Sequence, residues 1–452
     1  MRQKIARVET DALVVGGGLA GCLAAVAVKR TLPSARVWLV ERNGFLGGMA
    51  TAGLVYPFMR YWRRDPETGR YQLLSGGLFW ELVEFLAAQG HVERDPAAGF
   101  PTRFDPYALR WVLDDLVLGA GVELLLHALV NRVDANGPVV ESCVAQTKAG
   151  PVEFHPRVVV DASGDADVAF HAGADVVVGR ESDGLVQPAT LNFRVANVDC
   201  WEDGKPVDDD VATRWVLPLE RRVVTEKIAE AKARGDPLTP RDDCLMFLGS
   251  NATERHFNQT RVAGFDFTDP LQATAAEVEG RRQVARFFSF LRQEVPGFER
   301  AVLSGVGFTL GVRETRRVVG LHVLTEEELA RGVLFEDRVA LASYPVDVHD
   351  PAGGPTTDVR PFPPGHYYSV PFGCLVPRGL SNVLVAGRPI STTHVAHSAT
   401  RVMPTCATLG HAAGVAAALY LATPRLYSSQ VAALEAGAVQ RVLREQGAVL
   451  EL

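Results

Sequence analysis

Residues 11–21 read Asp-Ala-Leu-Val-Val-Gly-Gly-Gly-Leu-Ala-Gly, and this stretch decides the fold. Its apolar run, residues 13–15, predicts a short buried strand. Residues 19–29 are rich in Ala and Val and predict a helix that follows at once. The turn between strand and helix carries glycines at G-x-G-x-x-G spacing, namely Gly16, Gly18 and Gly21.

Each part of this strand-turn-helix unit has a physical role in binding a dinucleotide. Gly16 permits the tight turn, Gly18 has no Cβ to keep a pyrophosphate away, and Gly21 lets the helix approach the strand. The N–H groups at the start of the helix then face the phosphates. A second strand, residues 37–40, ends at Glu41, which is placed to accept hydrogen bonds from a ribose hydroxyl. The pattern predicts a dinucleotide site without separating FAD from NAD.

The composition is that of an ordinary globular protein. The chain has 452 residues, 47% of them hydrophobic and 22% charged, so two or three domains are expected. A net charge of -7 with no long basic run argues against a nucleic-acid partner. No apolar run is seen to reach the eighteen or so residues that a membrane span needs. The first ten residues are polar and carry no signal-peptide core, which predicts a cytoplasmic location.

The cysteines show no redox or metal spacing. None lies close to another in sequence, which disfavours a C-x-x-C redox pair, a zinc site or an iron-sulfur cluster. We expect them to be small buried side chains in a reducing compartment, and we see no metal-ligating set in the sequence. The six are Cys22, Cys143, Cys200, Cys244, Cys374 and Cys406.

Two further stretches carry the glycine and turn residues of a cofactor site. Residues 42–51 form a second glycine cluster, which either follows a flat cofactor closely or is a solvated loop. Residues 139–155 predict a β-hairpin. The next strand, residues 157–161, ends in Asp161-Ala-Ser-Gly-Asp165, a turn similar to one that meets the dinucleotide in FAD-binding folds. Upstream, residues 122–130 predict one more strand.

Together these motifs resemble the FAD-dependent oxidoreductases of the glutathione-reductase-like FAD fold, related to the fumarate reductase and succinate dehydrogenase flavoproteins. The resemblance implies an α/β fold: a Rossmann-like FAD-binding domain with a β-meander, and an inserted α+β substrate or cap domain. It places the first part of the FAD-binding domain at residues 1–175, the insert at 176–375 and the C-terminal return at 376–452.

The C-terminal return also matches this resemblance. A strand ending in Gly387-Arg388 leads to a helix over residues 405–422, whose N-terminus would face the flavin. Residues 45–51 contain no histidine for a covalent link, so FAD is expected to be held non-covalently. The residues expected to contact FAD are Gly16, Gly18, Leu19, Ala20, Gly21, Glu41, Arg42, Gly47, Gly48, Met49, Val130, Ala162, Gly164, Asp165, Gly387, Arg388, Met403 and Gly410.

Arginines are the first candidates for the reaction site. Arg313 lies in Gly-Val-Arg-Glu-Thr-Arg-Arg and shares a helix face with Arg316, or alternates with it along a strand. Guanidinium groups grip carboxylates and phosphates, although neighbouring acids such as Glu314 could instead pair with these arginines. Arg401, ahead of the C-terminal helix, is the second candidate for binding an anion or stabilising charge.

Histidine and tyrosine candidates are less specific. His394 and His397 are candidates for proton transfer, with a structural role as an equal alternative. Tyr367 could donate its phenol to a substrate or cover the flavin. Asp347 and His349 could form an acid/base pair, although an Asp-x-His pattern alone is more often structural.

The resemblance implies hydride transfer between flavin N5 and a small organic, oxygenated substrate, with a carboxylate-bearing compound as one option. Two alternatives stay open: a flavoprotein subunit that passes electrons to a partner, and an FAD-binding protein without turnover. The sequence does not identify the electron donor or acceptor. The oligomeric state is also left open, and a homo-oligomer is one possibility. The aromatic and basic residues 56–71 predict a mobile surface flap.

Overall fold

The computed structural model has a central sheet, a second smaller sheet and several two-stranded pairs. It describes residues 6–95, 98–199, 218–355, 357–423 and 430–452. The strands are β1 Ala6–Val15, β2 Val37–Val40, β3 Trp62–Arg64, β4 Tyr71–Leu73, β5 Val92–Arg94, β6 Pro101–Phe104, β7 Glu123–Leu125, β8 Leu129–Asn136, β9 Val139–Thr147, β10 Gly150–Asp161, β11 Val176–Val178, β12 Phe193–Ala196, β13 Met246–Leu248, β14 Arg255–Phe257, β15 Val302–Val306, β16 Arg316–Val318, β17 Arg338–Ala342, β18 Val346–His349, β19 Thr357–Arg360, β20 Tyr368–Pro371 and β21 Val383–Val385.

Helices lie between these strands and cover the sheets. They are α1 Leu19–Thr31, α2 Leu78–Ala88, α3 Ala108–Gly119, α4 Asp167–His171, α5 Pro218–Ala233, α6 Pro270–Glu294, α7 Glu326–Arg331, α8 His394–Thr400, α9 Met403–Ala422 and α10 Ala436–Glu445. The predicted β1-α1-β2 unit is therefore present, and α1 begins directly after Gly18.

The central sheet has seven strands, parallel where the glycine motif lies. β1 pairs in parallel with β2 and β10, β2 with β7, and the end of β10 with β21. β8, β9 and the start of β10 are antiparallel and form the predicted hairpin and meander. The parallel strands have helices on their faces, which explains their continuous apolar sequences. This is a mixed α/β fold with a Rossmann-like parallel sheet.

One predicted strand is wrong. Residues 122–130 form two strands, because β7 ends at Leu125 and β8 begins at Leu129. His127 between them has a φ of 54°, a left-handed conformation that a continuous strand does not contain. The apolar pattern runs through this turn, so periodicity alone did not reveal it.

Two helices cross closely over the parallel strands. A Cβ on Gly410 of α9 would lie 2.0 Å from the Ala20 carbonyl oxygen of α1. One on Gly414 would lie 2.2 Å from the Ala24 carbonyl oxygen. The small residues of α9 therefore allow the two backbones to touch.

A second hydrophobic core lies within residues 189–310. It joins the four-stranded sheet β13-β14-β12-β15 to α5 and α6. The rings of Phe193 and Phe257 stack 4.9 Å apart at its centre, and Phe287 of α6 meets both. The larger hydrophobic core surrounds the central sheet, and we call it the first core. Residues 318–376 contribute to this first core. The insert at 176–375 remains a prediction, and the second core occupies only its middle part.

Helix α9 corrects one sequence expectation. Among the described residues it is long and apolar enough to cross a membrane, with a mean hydropathy of 1.3 over its most apolar window. The structure buries 83% of that window inside the protein, against α1 and the central sheet. The expectation that no apolar run would reach this length was therefore too strict. Of the cysteines, five are free and buried, and Cys200 lies outside the described residues.

Candidate functional site

A cavity of about 750 Å³, open mouth included, lies beside β1, β10 and β21 where these parallel strands end. We call it the glycine-lined cavity. Fourteen of the residues predicted to contact FAD line it: Gly16, Gly18, Leu19, Ala20, Glu41, Arg42, Gly47, Gly48, Met49, Ala162, Gly164, Gly387, Arg388 and Met403.

The glycine backbone leaves this cavity free for a ligand. Gly16 has a φ of +102°, and a Cβ there would lie 2.3 Å from the Ala162 carbonyl oxygen. A Cβ on Gly18 would meet only the Gly48 Cα, at 3.9 Å, so it would occupy the cavity itself. The two glycine clusters meet here, since Gly18 and Gly47 form a backbone bridge. The cavity wall at Gly18 thus has the bare backbone that a pyrophosphate requires.

Two helices begin at the cavity without a side-chain cap. The N-cap residues are Gly18 for α1 and Val402 for α9, and neither offers a side-chain acceptor to the first N–H groups. Met403 and Cys406 in the first turn of α9 line the cavity. Both helix N-termini therefore present positive dipole ends to whatever fills the cavity, which suits an anionic cofactor.

Glu41 lines the cavity but has protein partners. Its carboxylate accepts hydrogen bonds from Gly17 N at 2.6 Å, Asn43 N at 2.8 Å and Asn43 Nδ2 at 2.7 Å. In this state it ties the glycine turn to the end of β2. The contact with a ribose stays a prediction.

Four residues predicted to contact FAD do not line the cavity. Gly21 and Gly410 are buried where backbone meets backbone: a Cβ on Gly21 would lie 1.8 Å from the Gly16 carbonyl oxygen. Val130 is buried in β8. Asp165 stands just behind the wall and accepts from Arg388 at 2.8 Å and from Thr315 at 2.8 Å. These residues shape the cavity through packing and charge.

Asp165 is the carboxylate that balances the arginines of this wall. Burial by itself raises its pKa, but the charges of Arg388 and Arg42 and the hydrogen bond from Thr315 outweigh that effect and lower the pKa. Asp165 is therefore a charged partner that holds Arg388 at the cavity edge.

A second cavity of about 700 Å³ continues from the first. We call it the arginine cavity, after Arg313 and Arg401 in its wall. The two cavities share four lining residues, which mark the place where a substrate could meet a cofactor: Met49, Arg388, Arg401 and Met403. The remaining polar lining comes from Tyr56, Thr190, Asn192, Asn258, Tyr344, Asp347 and His349.

Arg313 enters the cavity wall without an acidic partner among the described residues. It donates to the Pro188 carbonyl oxygen at 2.6 Å, Thr190 Oγ1 at 2.7 Å and Asn258 Oδ1 at 3.3 Å. Its side chain is 9% exposed, and burial, together with the charge of Arg401, places its pKa well below the usual value. Burial of this cation beside the cavity therefore lowers folding stability.

The neighbouring arginines of the same motif point elsewhere. Arg316 pairs with Asp167 at 2.9 Å, and Arg317 pairs with the buried Glu314. The ion-pair alternative therefore describes Arg316 and Arg317, whereas Arg313 alone of the three faces the cavity. Arg313 and Arg316 do not share a face.

Arg401 lies beside Asp347, the one carboxylate among the described residues that line the arginine cavity. Its Nη2 is 3.2 Å from the Asp347 carbonyl oxygen, 3.8 Å from Asp347 Oδ2 and 3.4 Å from Gln187 Oε1. Its Nε has no hydrogen-bond partner among the described residues. Arg401 therefore keeps donor capacity for a ligand.

His349, which the sequence left between an acid/base and a structural role, lines the same cavity. Its Nε2 is 3.7 Å from Asp347 Oδ1, and its Nδ1 is 3.2 Å from Arg261 Nη2. Burial first, and then Arg313, Arg401, Arg261 and Arg241, lower its pKa well below the usual value. The ring is therefore neutral at neutral pH.

The other predicted side chains of the reaction site lie outside both cavities. His394 is buried with its Nδ1 2.9 Å from Glu314 Oε1, and His397 is buried with its pKa lowered, chiefly by burial. Tyr367 is half-buried, with the Arg63 guanidinium 4.6 Å from its ring centre. Glu314 holds the ring of His394 away from both cavity linings, and His397 and Tyr367 do not line either cavity. The geometry therefore gives these three predictions no support.

The residues that sequence reasoning missed come from distant parts of the chain. Tyr56 lies in the segment predicted to be a surface flap, yet its ring is buried and packs 4.8 Å from that of His256. Asn192 and Asn258 reach the cavity from the second core. No local pattern marks such residues, although the aromatic content of residues 56–62 was a signal of burial.

Comparison with solved structures finds distant likenesses. Solved structures with a similar arrangement include a geranylgeranyl bacteriochlorophyll reductase-like protein from Thermoplasma acidophilum, 11% identical, covering 98% of this chain and 85% of that one, with a TM-score of 0.46. Another is p-nitrophenol 4-monooxygenase from Pseudomonas putida, 14% identical, covering 97% of this chain and 85% of that one, with a TM-score of 0.43. Such distant likenesses assign no activity. No curated protein matches the chain.

The family model for FAD dependent oxidoreductase matches residues 11–443, nearly the whole chain. The bare glycine wall and the two uncapped helix N-termini fit the pyrophosphate and the flavin that this family uses. The chain belongs to the FAD-dependent oxidoreductase family and is a flavoenzyme with FAD as its cofactor.

Proposed function

We propose that this enzyme transfers hydride between flavin N5 and a small organic substrate that carries a carboxylate bound in the arginine cavity. The observation that carries the proposal is the position of Arg313 and Arg401 in a cavity that opens into the glycine-lined one. Three further features belong to this proposal: a glutathione-reductase-like fold, a relation to the fumarate reductase flavoproteins and an inserted domain at residues 176–375.

The cofactor would be held by groups already in place. The bare backbone at Gly18 and the start of α1 would bind the pyrophosphate, and the start of α9 would face the flavin ring. Bound FAD supplies a hydride acceptor or donor. Met49 and Met403, which line both cavities, would lie where the flavin ring meets the substrate space.

The charge balance of the arginine cavity favours an anion. Asp347 is its only carboxylate among the described lining residues, against the guanidinium groups of Arg313, Arg388 and Arg401. Arg388 is neutralised by Asp165, but Arg313 has only neutral partners. A carboxylate of the substrate would supply the missing negative charge and form charge-assisted hydrogen bonds with the planar guanidinium groups.

The test is a titration of the FAD-loaded enzyme with acetate, pyruvate and succinate, followed by the flavin absorption spectrum. We expect at least one acid to perturb the spectrum, and Arg401→Met to weaken its binding by about 1.5–3 kcal/mol, roughly 10- to 150-fold. Arg360→Met is the matched control, since Arg360 is exposed and pairs with Asp358 at the surface, away from the lining of both cavities. Equal affinities in both variants, or no response to any acid, would remove the carboxylate from the proposal.

Non-covalent attachment is tested by acid precipitation of the purified holoenzyme. We expect the yellow flavin to remain in the supernatant. Colour that stays with the precipitated protein would show a covalent link instead.

A further inference from the structure

We propose that His349 is a neutral hydrogen-bond donor toward the substrate through Nε2, and that Arg261 is the positioning residue that fixes this tautomer. The inference rests on the proposed function, because it adds a contact within the same arginine cavity. It assigns a role to Arg261, which does not line the cavity, and it denies His349 the role of a base.

The contact between Arg261 and His349 determines where the ring carries its proton. Arg261 Nη2 lies 3.2 Å from His349 Nδ1. A guanidinium group can only donate hydrogen bonds, so Nδ1 must be the unprotonated acceptor. A neutral ring with a bare Nδ1 carries its proton on Nε2.

Arg261 is held firmly enough to impose this choice. Its side chain is 3% exposed, and it also donates to the Gly354 carbonyl oxygen and to Thr357 Oγ1 at 3.0 Å. Thr357 Oγ1 is itself 3.4 Å from His349 Nδ1. The β18-β19 pair, which contains both His349 and Thr357, is therefore joined to Arg261 on one side of the ring.

The surroundings keep the ring neutral. The side chain of His349 is 5% exposed, and four positive groups act on it, whereas the Asp347 carboxylate stays 3.7 Å from Nε2. A second proton would have to enter a buried site beside those cations, which is unfavourable. The four are Arg313, Arg401, Arg261 and Arg241.

The Nε2–H group is left for a ligand. The nearest carboxylate oxygen, Asp347 Oδ1, is 3.7 Å away, beyond hydrogen-bond distance. The ring lines the arginine cavity together with Asp347 and Arg401. A carbonyl, hydroxyl or carboxylate oxygen of the substrate would accept this hydrogen bond. His349 has no free lone pair with which to remove a proton.

The tautomer can be measured by NMR on the FAD-loaded protein with ¹⁵N-labelled histidine. His349→Asn identifies the signal, and His366 is an internal reference, because its Nε2 lies 2.8 Å from the Leu329 carbonyl oxygen and must be protonated. We expect the signal of His349 to show a neutral ring protonated at Nε2, and to stay unchanged from about pH 5.5 to about pH 8.5. A proton on Nδ1, or a doubly protonated ring at neutral pH, would overturn the assignment.

Two variants test Arg261 itself. Arg261→Met should release Nδ1 and give a mixture of tautomers or a protonated ring at the acidic end of the range, whereas Arg261→Lys, which still only donates, should restore the wild-type pattern. Thr357→Val is the matched control, because it removes a neighbouring hydroxyl and leaves the guanidinium. An unchanged His349 signal in a folded Arg261→Met protein would exclude the positioning role. If that variant does not fold, the wild-type and Thr357→Val spectra still decide the tautomer.

Contact with substrate is tested by adding the same carboxylates. An acid that perturbs the flavin spectrum should also shift the His349 Nε2–H signal. An acid that perturbs the flavin but leaves this signal unchanged would overturn the donor role while the proposed function stands. If neither signal responds to any acid, the proposed function fails and the substrate contact fails with it, whereas the tautomer is measured separately.

Discussion

Gly18 shows how much a single missing side chain can matter. Its φ of -68° and ψ of 176° are accessible to any residue, so the chain does not need glycine there for its own conformation. Gly16 is different, because its positive φ and the nearby Ala162 carbonyl oxygen exclude other residues. The glycine at 18 is therefore explained by the ligand, and the one at 16 by the turn.

Replacement of Gly18 by Val should separate cofactor binding from folding. We expect a folded protein whose affinity for FAD is at least roughly tenfold weaker, because the new side chain fills the space beside the pyrophosphate. Titration of the apoprotein with FAD, followed by flavin fluorescence, measures this. Gly119→Ala, at an exposed position with no neighbour within 4 Å, serves as the control and should bind FAD normally. Equal affinities would show that Gly18 does not border the cofactor.

Asp167 gives a prediction about pH. Burial raises its pKa to about 6, helped by the charges of Asp165 and Asp161 and opposed by Arg316 and Arg42. The folded state thus holds this proton more tightly than the unfolded state, whose carboxyl has a pKa near 3.8. Stability from this group is present at low pH and is lost as the pH rises from about 4 to about 6.

Asp167→Asn should therefore gain thermal stability relative to the wild type as the pH increases through that window. The measurement is the difference in Tm between variant and wild type at about pH 4.5 and about pH 7. Val359→Ala, at an exposed position of β19 that carries no ionisable side chain, provides the comparison and should show no such trend. A difference in Tm that stays constant with pH would show that the Asp167 pKa is not raised.

At the scale of elements, helix α9 is defined by its contact with α1. Gly410→Ala places a methyl group against the Ala20 carbonyl oxygen and must push the two helices apart. Overpacking of this kind costs typically about 1–3 kcal/mol, and we expect both a lower Tm and weaker FAD binding.

The control for this helix contact is Gly437→Ala in α10, which is exposed and has no neighbour within 4 Å. There the change should stabilise the protein by about 0.4–1 kcal/mol, since alanine favours the helix. The two variants change the same atoms in two helices, so thermal unfolding of both separates packing from helix propensity. A Gly410→Ala protein with an unchanged Tm would contradict the close contact.

The elements that sequence reasoning predicted well are those whose signals are local. The β1-α1-β2 unit and the β9-β10 hairpin are each formed by neighbouring residues, so their glycines, turns and apolar runs describe them. The break at His127 was missed because its neighbours stay apolar. Arg313 and Arg401 line the arginine cavity, whereas His394 does not, because its ring is held by Glu314, far away in sequence. A role for His394 in proton transfer stays a prediction.

For the whole molecule, we propose that the core within residues 189–310 unfolds separately from the FAD-binding part. Phe257→Ala removes a ring at the centre of that core, which typically costs about 3–5 kcal/mol. We expect protease cleavage within residues 189–310 before cleavage of the central sheet, with flavin still bound. Phe154→Ala, in β10 of the first core, is the counterpart and should release FAD. Simultaneous loss of both parts in Phe257→Ala would show a single cooperative unit.

The close crossing of α1 and α9 also bears on how the chain is made. Helix α1 leaves the ribosome well before its partner α9 and the neighbouring strand β21, which follow only after residue 380. The core within residues 189–310 has all of its own segments much earlier. On a growing chain the middle of the sequence can therefore fold first, while the face of α1 that packs on α9 stays uncovered until α9 is made. During that time this apolar surface is exposed to aggregation.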